Sequence, residues 1–340
     1  MFVVLRPQCP SEEERQVLHA AEVAQLGPKL TTIHGRRIIA LRGEESQTDA
    51  IPFEAFPGVE RVVRLEAPYH LAAREFHEHD TVVEVEGTRI GGGGLTLIAG
   101  PCAVEDGDQL MAAARAVKEA GANLLRGGAY KPRTSPYDFR GLGLEGLKLL
   151  AEVGAEVGLP VVTEAMDTRQ IDDVVRYASV IQIGTRNMQN FPLLEAAGRT
   201  GHPILLKRGR ASTVTEWLCA AEYVLNTGNE RVILCERGLV AFDTAVRNVL
   251  DLSVVPLAKR LSHLPVLVDP SHGTGRSELV PAMARAAVAA GADGVLLEVH
   301  PQPERALSDA RQALRPAEFA ALAPDLAAIA EIVQGRPALI

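Results

Sequence analysis

Beyond residue 94 the chain repeats one pattern eight times: a short apolar run that finishes on a charged or metal-ligating residue. The runs span residues 95–100, 123–126, 160–164, 180–186, 203–207, 231–237, 265–272 and 294–300. Seven stretches with helical spacing of apolar positions separate or follow them, at 110–120, 144–157, 169–178, 215–225, 244–261, 279–290 and 316–333. Apolar runs this short read as strands buried on both faces, and their alternation with helices predicts parallel pairing. Eight such units are what a (β/α)₈ barrel requires. Its strands all end at one mouth, so Cys102, Arg126, Glu164, Arg186, Lys207, Arg237, His272 and Glu298 are expected on a single rim. Groups this polar are costly inside a barrel, and the strand ends are where they can be both fixed and hydrated.

Residues 1–68 follow another order. Strands are expected at 1–6, 29–33, 36–41 and 59–65, with a turn at His34-Gly35. A helix is expected at 11–26, with Ser11 as its cap and Glu14 at capping-box spacing. A weaker helix falls near 47–56, where Pro52 interrupts it. This β-α-β-β-α-β order predicts a small α+β, ferredoxin-like domain ahead of the α/β barrel. Residues 69–94 turn polar and then alternate through Thr81-Val82-Val83-Glu84-Val85 to Gly87. A hairpin closing the barrel floor and a plain linker both fit that segment, and the barrel is expected over 95–340.

A chain of 340 residues accommodates a barrel of roughly 250 residues with a small domain beside it. An apolar fraction of 47 % excludes a disordered chain. Aromatic residues are 4 % and the net charge is -8, which argues against nucleic acid and against anionic membrane surfaces as partners. Cys9, Cys102, Cys219 and Cys235 form no CxxC pair. No leader pattern is seen, nor an apolar run of the ~20 residues that span a bilayer, so a reducing, cytoplasmic setting is expected. The cations of the rim stand out against this acidic background.

Two groupings carry chemistry. Cys102, His272, Glu298 and Asp309 offer one thiolate, one imidazole and two carboxylates where the first and last strands meet. Such a set holds a divalent transition metal with a position left open, and it accepts manganese, iron, cobalt or zinc. Asp269 is expected to orient this corner from behind. The second grouping is cationic: Arg126, Arg186, Lys207-Arg208 and Arg237 at strand ends, with Tyr130-Lys131-Pro132-Arg133-Thr134-Ser135 continuing one of them. Guanidinium forks pair bidentately with phosphate, and an ammonium adds a compact charge able to donate a proton. Their number implies two anionic substrates. Pro132 stiffens its loop, which leaves Arg133, Thr134 and Ser135 for a phosphate. Glu164 either positions a water or serves as a counter-charge. His202, ahead of the fifth run, reads as structural.

Six segments carry a resemblance. They are Ala99-Gly100-Pro101-Cys102-Ala103-Val104-Glu105, Leu125-Arg126 through Thr134-Ser135, Leu206-Lys207-Arg208-Gly209, Cys235-Glu236-Arg237-Gly238, Asp269-Pro270-Ser271-His272 and Glu298-Val299-His300-Pro301. In that order, from about 95 to 309, the chain resembles the 3-deoxy-D-arabino-heptulosonate-7-phosphate (DAHP) synthases of the type I beta subfamily. Lys131-Pro132-Arg133-Thr134-Ser135 is the discriminating motif. Synthases of 3-deoxy-D-manno-octulosonate 8-phosphate, on the same barrel, typically carry Ala-Asn-Arg-Ser-Ser after the lysine. The resemblance implies condensation of phosphoenolpyruvate with erythrose 4-phosphate at the entry to the shikimate pathway. It assigns Arg126, Lys131, Thr185, Arg186, Lys207 and Arg237 to phosphoenolpyruvate, and Lys131, Pro132, Arg133, Thr134 and Ser135 to erythrose 4-phosphate. It assigns Cys102, His272, Glu298 and Asp309 to one divalent metal ion, and catalysis to Lys131, Cys102, His272 and Glu164. Thr185 departs from the alanine common in the family, and its hydroxyl is expected to tighten or crowd the phosphate site. The amino-terminal domain is similar to a regulatory domain that binds tyrosine or phenylalanine, and the subfamily implies a homotetramer. An octulosonate synthase, and a silent amino-acid-sensing barrel, are the competing readings.

Overall fold

Four apolar strands and one amphipathic helix build the first part of the chain. Strands β1 (Phe2–Leu5), β2 (Lys29–Ile33), β3 (Arg36–Ala40) and β4 (Val59–Val63) form an antiparallel sheet in the order β2-β3-β1-β4. Helix α1 (Ser11–Val23) buries Val17 and Ala21, four residues apart on one face, in a core with Val3, Leu5, Ile39, Phe53 and Val59. Ser11 does not cap this helix. Pro10 holds the cap position with no side-chain bond, and Glu14 pairs with Arg37 of β3 instead of reaching back. The computed structural model describes residues 1–33, 35–41, 47–48, 50–63, 67–77 and 79–334. His34 of the expected turn and part of the expected helix at 47–56 lie outside them. Directly after Pro52, Phe53–Ala55 forms a single 3₁₀ turn.

The chain divides into two compact units, Met1–His79 and Asp80–Ile340. The second opens with a hairpin of β5 (Val83–Val85) and β6 (Thr88–Ile90), with Glu86 and Gly87 at positive φ between them. Eight parallel strands then close on themselves: β7 (Thr96–Gly100), β8 (Leu124–Arg126), β9 (Val161–Ala165), β10 (Val180–Ile183), β11 (Ile204–Lys207), β12 (Val232–Glu236), β13 (Val266–Val268) and β14 (Gly294–Glu298). β14 pairs with β7 to complete the (β/α)₈ barrel. Every residue of these strands is buried, as strands covered on both faces require. Val83, Val85 and Ile90 of the hairpin pack in one cluster with Ile98, Leu124, Val162, Val180, Leu205, Ile233, Leu267 and Leu296.

The helices are α2 (Gly107–Glu119), α3 (Leu144–Val157), α4 (Ile171–Tyr177), α5 (Phe191–Gly198), α6 (Val214–Leu225), α7 (Val254–Leu261), α8 (Pro270–Thr274), α9 (Val280–Ala289) and α10 (Pro316–Gln334). The capping box of Thr213 and Glu216 opens α6. Three helices differ from the sequence reading, α8 because the run read as a strand to His272 ends at Val268. α5 was not expected, because the preceding apolar run reads on to Arg186; the strand stops at Ile183, and Asn190 then caps a short helix by accepting from Leu193 N–H. The helix expected at 244–261 exists only as α7. Upstream of it the backbone bonds elsewhere: Leu239 and Val249 exchange bonds at 2.9 Å, and Arg247 N–H donates to Thr274 O at 2.9 Å. Those contacts replace the intrahelical bonds and swing residues 239–251 over the barrel mouth. Among the described residues no helix is long and apolar enough to cross a membrane.

Candidate active site

Side chains along a strand alternate between its two faces. The inward layer just described is apolar throughout. Two residues further along each strand come Gly100, Arg126, Glu164, Gln182, Lys207, Cys235, Asp269 and Glu298. At six of these eight positions one step of the pleat turns the packed hydrocarbon floor into a polar mouth; Gly100 has no side chain, and Cys235 packs within the apolar cluster. His272 arrives differently. β13 ends at Val268, and α8 starts with Asp269 as its cap, so the imidazole is carried by a one-turn helix and not by the strand itself.

Cys102, His272, Glu298 and Asp309 each offer a donor atom, and these atoms lie within 4.8 Å of one another. His272 Nε2 is 3.3 Å from Glu298 Oε1 and 3.8 Å from Asp309 Oδ2. Asp269 fixes the ring by accepting from His272 N–H at 2.9 Å and from Nδ1 at 2.6 Å. With Nδ1–H committed there, Nε2 turns its lone pair to the cluster. Burial pulls the His272 pKa down, against the opposing pull of Asp269 and Glu298, a shift in the direction of the neutral imidazole that binds metals. Burial opposes the charge on Glu298, yet its carboxyl is held below the usual range, with the Arg126 guanidinium at 2.9 Å as its permanently charged partner. Burial, then Glu298, push the Cys102 thiol up to about 12, the condition a bound cation reverses. One sulfur, one imidazole nitrogen and two carboxylates at this spacing fit a four-donor divalent-metal centre. Gln312 Nε2 donates to Glu298 Oε2 at 2.7 Å and steadies that carboxylate.

Against this corner stands a cationic cavity. Arg126, Lys131, Arg133, Arg186, Lys207, Arg210, Arg237 and Arg247 line it, with only Asp138, Glu164 and Asp309 as carboxylates. A chain of net charge -8 thus concentrates positive charge at one mouth. Arg126 donates to Glu298 Oε1 at 2.9 Å and to Pro101 O at 2.8 Å, while Lys207 pairs with Asp269. These two cations join the metal corner to the anion cavity. Lys131 Nζ reaches Cys102 Sγ at 3.0 Å and Cys102 O at 2.9 Å. Gly128 makes that approach possible, since a Cβ there would lie 2.7 Å from Lys131 Cδ. Burial, with Arg247 and Arg210 nearby, brings Arg237 down to about 10. An anion in the cavity would relieve that crowding.

Pro132, Thr134, Thr185 and Arg186 also line the cavity. The Thr185 hydroxyl donates to Arg208 O at 2.7 Å, so it is turned onto the backbone and does not crowd the space. Ser135 is not on the cavity wall; its Oγ accepts from Tyr137 N–H at 3.3 Å. Arg208, grouped with the rim cations from sequence, points away and pairs with Glu236 and Asp251, both at 3.1 Å. Gln182, Arg210, Arg247 and Gln312 were not anticipated. Gln182 alone had a readable signal, two residues beyond Val180 on the inward face of its strand.

Comparison with known proteins joins these features to a family. Residues 78–334 match the DAHP synthetase I family, and residues 1–67 match the DAHP synthase ferredoxin-like domain. The phospho-2-dehydro-3-deoxyheptonate aldolase of Thermotoga maritima is 49 % identical over 314 residues, covering 92 % of this chain and 93 % of that protein. The 2-dehydro-3-deoxyphosphooctonate aldolase of Syntrophotalea carbinolica is 34 % identical, covering 76 % of this chain and 98 % of that protein. A crystal structure of the Thermotoga maritima aldolase (DAHP synthase) superposes with a TM-score of 0.78 at 46 % identity, covering 98 % of both chains. The chain therefore belongs to the DAHP synthetase I family and carries the DAHP synthase ferredoxin-like domain at its amino end.

Proposed function

We propose that the chain is a metal-dependent DAHP synthase. It joins phosphoenolpyruvate to D-erythrose 4-phosphate, with water, giving 3-deoxy-D-arabino-heptulosonate 7-phosphate and inorganic phosphate. The observation that carries this reading is one mouth in which eight arginine and lysine side chains face a Cys-His-Glu-Asp cluster. The Thermotoga maritima relative, which extends over both domains, supports the seven-carbon product.

Arg126, Lys131, Arg186, Lys207 and Arg237, with the Thr185 backbone N–H, hold the carboxylate and phosphate of phosphoenolpyruvate. Pro132, Arg133 and Thr134, which line the cavity, receive the phosphate of erythrose 4-phosphate. A divalent ion of manganese, iron, cobalt or zinc, bound by Cys102, His272, Glu298 and Asp309, supplies Lewis acidity toward the aldehyde. C3 of phosphoenolpyruvate bonds to the aldehyde carbon, and Lys131 Nζ delivers a proton to the aldehyde oxygen. Glu164 positions the water that adds to C2, and the tetrahedral centre then expels phosphate. Cations already fixed around that centre stabilise its charge with little reorganisation. The ferredoxin-like domain supports feedback control by tyrosine or phenylalanine, and the working assembly in this reading is a homotetramer.

Phosphate release should be measured with erythrose 4-phosphate and with arabinose 5-phosphate, before and after chelation. The expected result is turnover with the four-carbon sugar, lost on chelation and restored by Mn²⁺. Turnover with arabinose 5-phosphate alone would reassign the acceptor. An unchanged rate after rigorous chelation would remove the metal from the mechanism.

A further inference from the structure

The loop after β14 is fastened at two points, with an unusual backbone conformation between them. Leu307 N–H donates to Glu105 Oε1 at 2.8 Å, Gln312 holds Glu298, and Asp309 adopts a positive φ of 52° that non-glycine residues rarely take. Between these points lies Ser308, 3 % exposed. Its Oγ is 3.2 Å from Cys102 Sγ and 2.6 Å from Arg133 Nη1. One buried oxygen thus spans from the sulfur of the metal corner to the guanidinium on the Lys131–Ser135 loop. The carboxylate neighbour of Arg133, Asp138, is at 3.5 Å and is exposed on the same loop.

A hydroxyl has one proton to give and two lone pairs. It can accept from Arg133 while still bonding the sulfur, as acceptor from a thiol or as donor to a thiolate. A methyl group in its place does neither. We propose that Ser308 is a positioning residue that couples the metal corner to the arginine receiving the acceptor phosphate. Ion loading then preorganises Arg133, and by reciprocity acceptor binding tightens the hold on the ion. The inference rests on the proposed roles of the Cys102 cluster and of Arg133.

The test uses the full chain loaded with Co²⁺, whose sulfur-to-cobalt absorption reports the Cys102 bond directly. In Ser308→Ala that absorption is expected to shift, and the KM for erythrose 4-phosphate to rise at least about fivefold with the KM for phosphoenolpyruvate unchanged. The losses from Ser308→Ala and Arg133→Ala should not add in the double variant, because both remove one link. A Ser308→Ala spectrum identical to wild type, or fully additive losses, would overturn the coupling and leave the metal reading standing. Absence of a sulfur band in the wild type would overturn the metal reading and the coupling together.

Discussion

A Cβ built on Gly184 would lie 1.9 Å from Glu164 Oε1, so a glycine is what lets β10 end beside that carboxylate. Gly184→Ala is expected to displace Glu164 and to lower kcat/KM for phosphoenolpyruvate by at least about tenfold, the scale of losing one charge-assisted contact. Steady-state kinetics of Gly184→Ala, Glu164→Ala and the pair would test this. Fully additive losses would contradict the idea, since both changes remove the same carboxylate from the same position. At this scale the ligand types were legible: Cys102, His272, Glu298 and Asp309 are unusual donors at or beyond the ends of the first, seventh and eighth strands, and they lie within 4.8 Å of one another. Arg208 was misread for a definite reason. Lys207 and Arg208 are adjacent, strand neighbours point to opposite faces, and only Lys207 faces the mouth while Arg208 pairs with Glu236 and Asp251.

Between residue and barrel lies the hairpin of β5 and β6. Ile90 is fully buried beneath the strands, so Ile90→Ala leaves a cavity under the barrel. A loss of about 2–5 kcal/mol is expected, typical of such truncations. Denaturant unfolding would measure it, with the KM values for both substrates nearly unchanged; an unchanged midpoint would mean that the hairpin does not support the barrel. Alternation in 81–85 made a strand readable there, with a hairpin on the barrel floor and a plain linker both open, because a short amphipathic hairpin buries its face wherever a floor is offered; the hairpin packs Val83, Val85 and Ile90 against the barrel strands. Residues 244–253 show the converse. Their helical pattern loses to backbone bonds with Leu239, Gly273 and Thr274, and the resulting loop brings Arg247 to the cavity. Local preference is worth tenths of a kcal/mol per residue, so a few tertiary bonds outweigh it.

For the whole molecule, binding at the Cys102 cluster adds to stability by mass action. Mn²⁺ at about 100 times its Kd should contribute ~2.7 kcal/mol to the folded state, and Cys102→Ala should abolish that gain. Thermal unfolding with and without Mn²⁺ decides it; an equal rise in Tm for both proteins would exclude Cys102 as a ligand. Saturating tyrosine or phenylalanine is expected to slow phosphate release, and an unaltered rate with both would remove feedback control from the proposed function. The eight apolar runs and their spacing were sufficient to establish a barrel, because burial on both faces and the βα alternation are local properties of a strand and its neighbours. So were the identities of the chemical groups and the sense of one charged mouth. Which groups meet was decided only by closure of β14 onto β7. That closure sets Cys102 beside Glu298 and Asp309, some two hundred residues away along the chain, and puts Ser308 between the sulfur and Arg133. Distances of this kind depend on the stagger and tilt of a closed sheet, which no local pattern encodes.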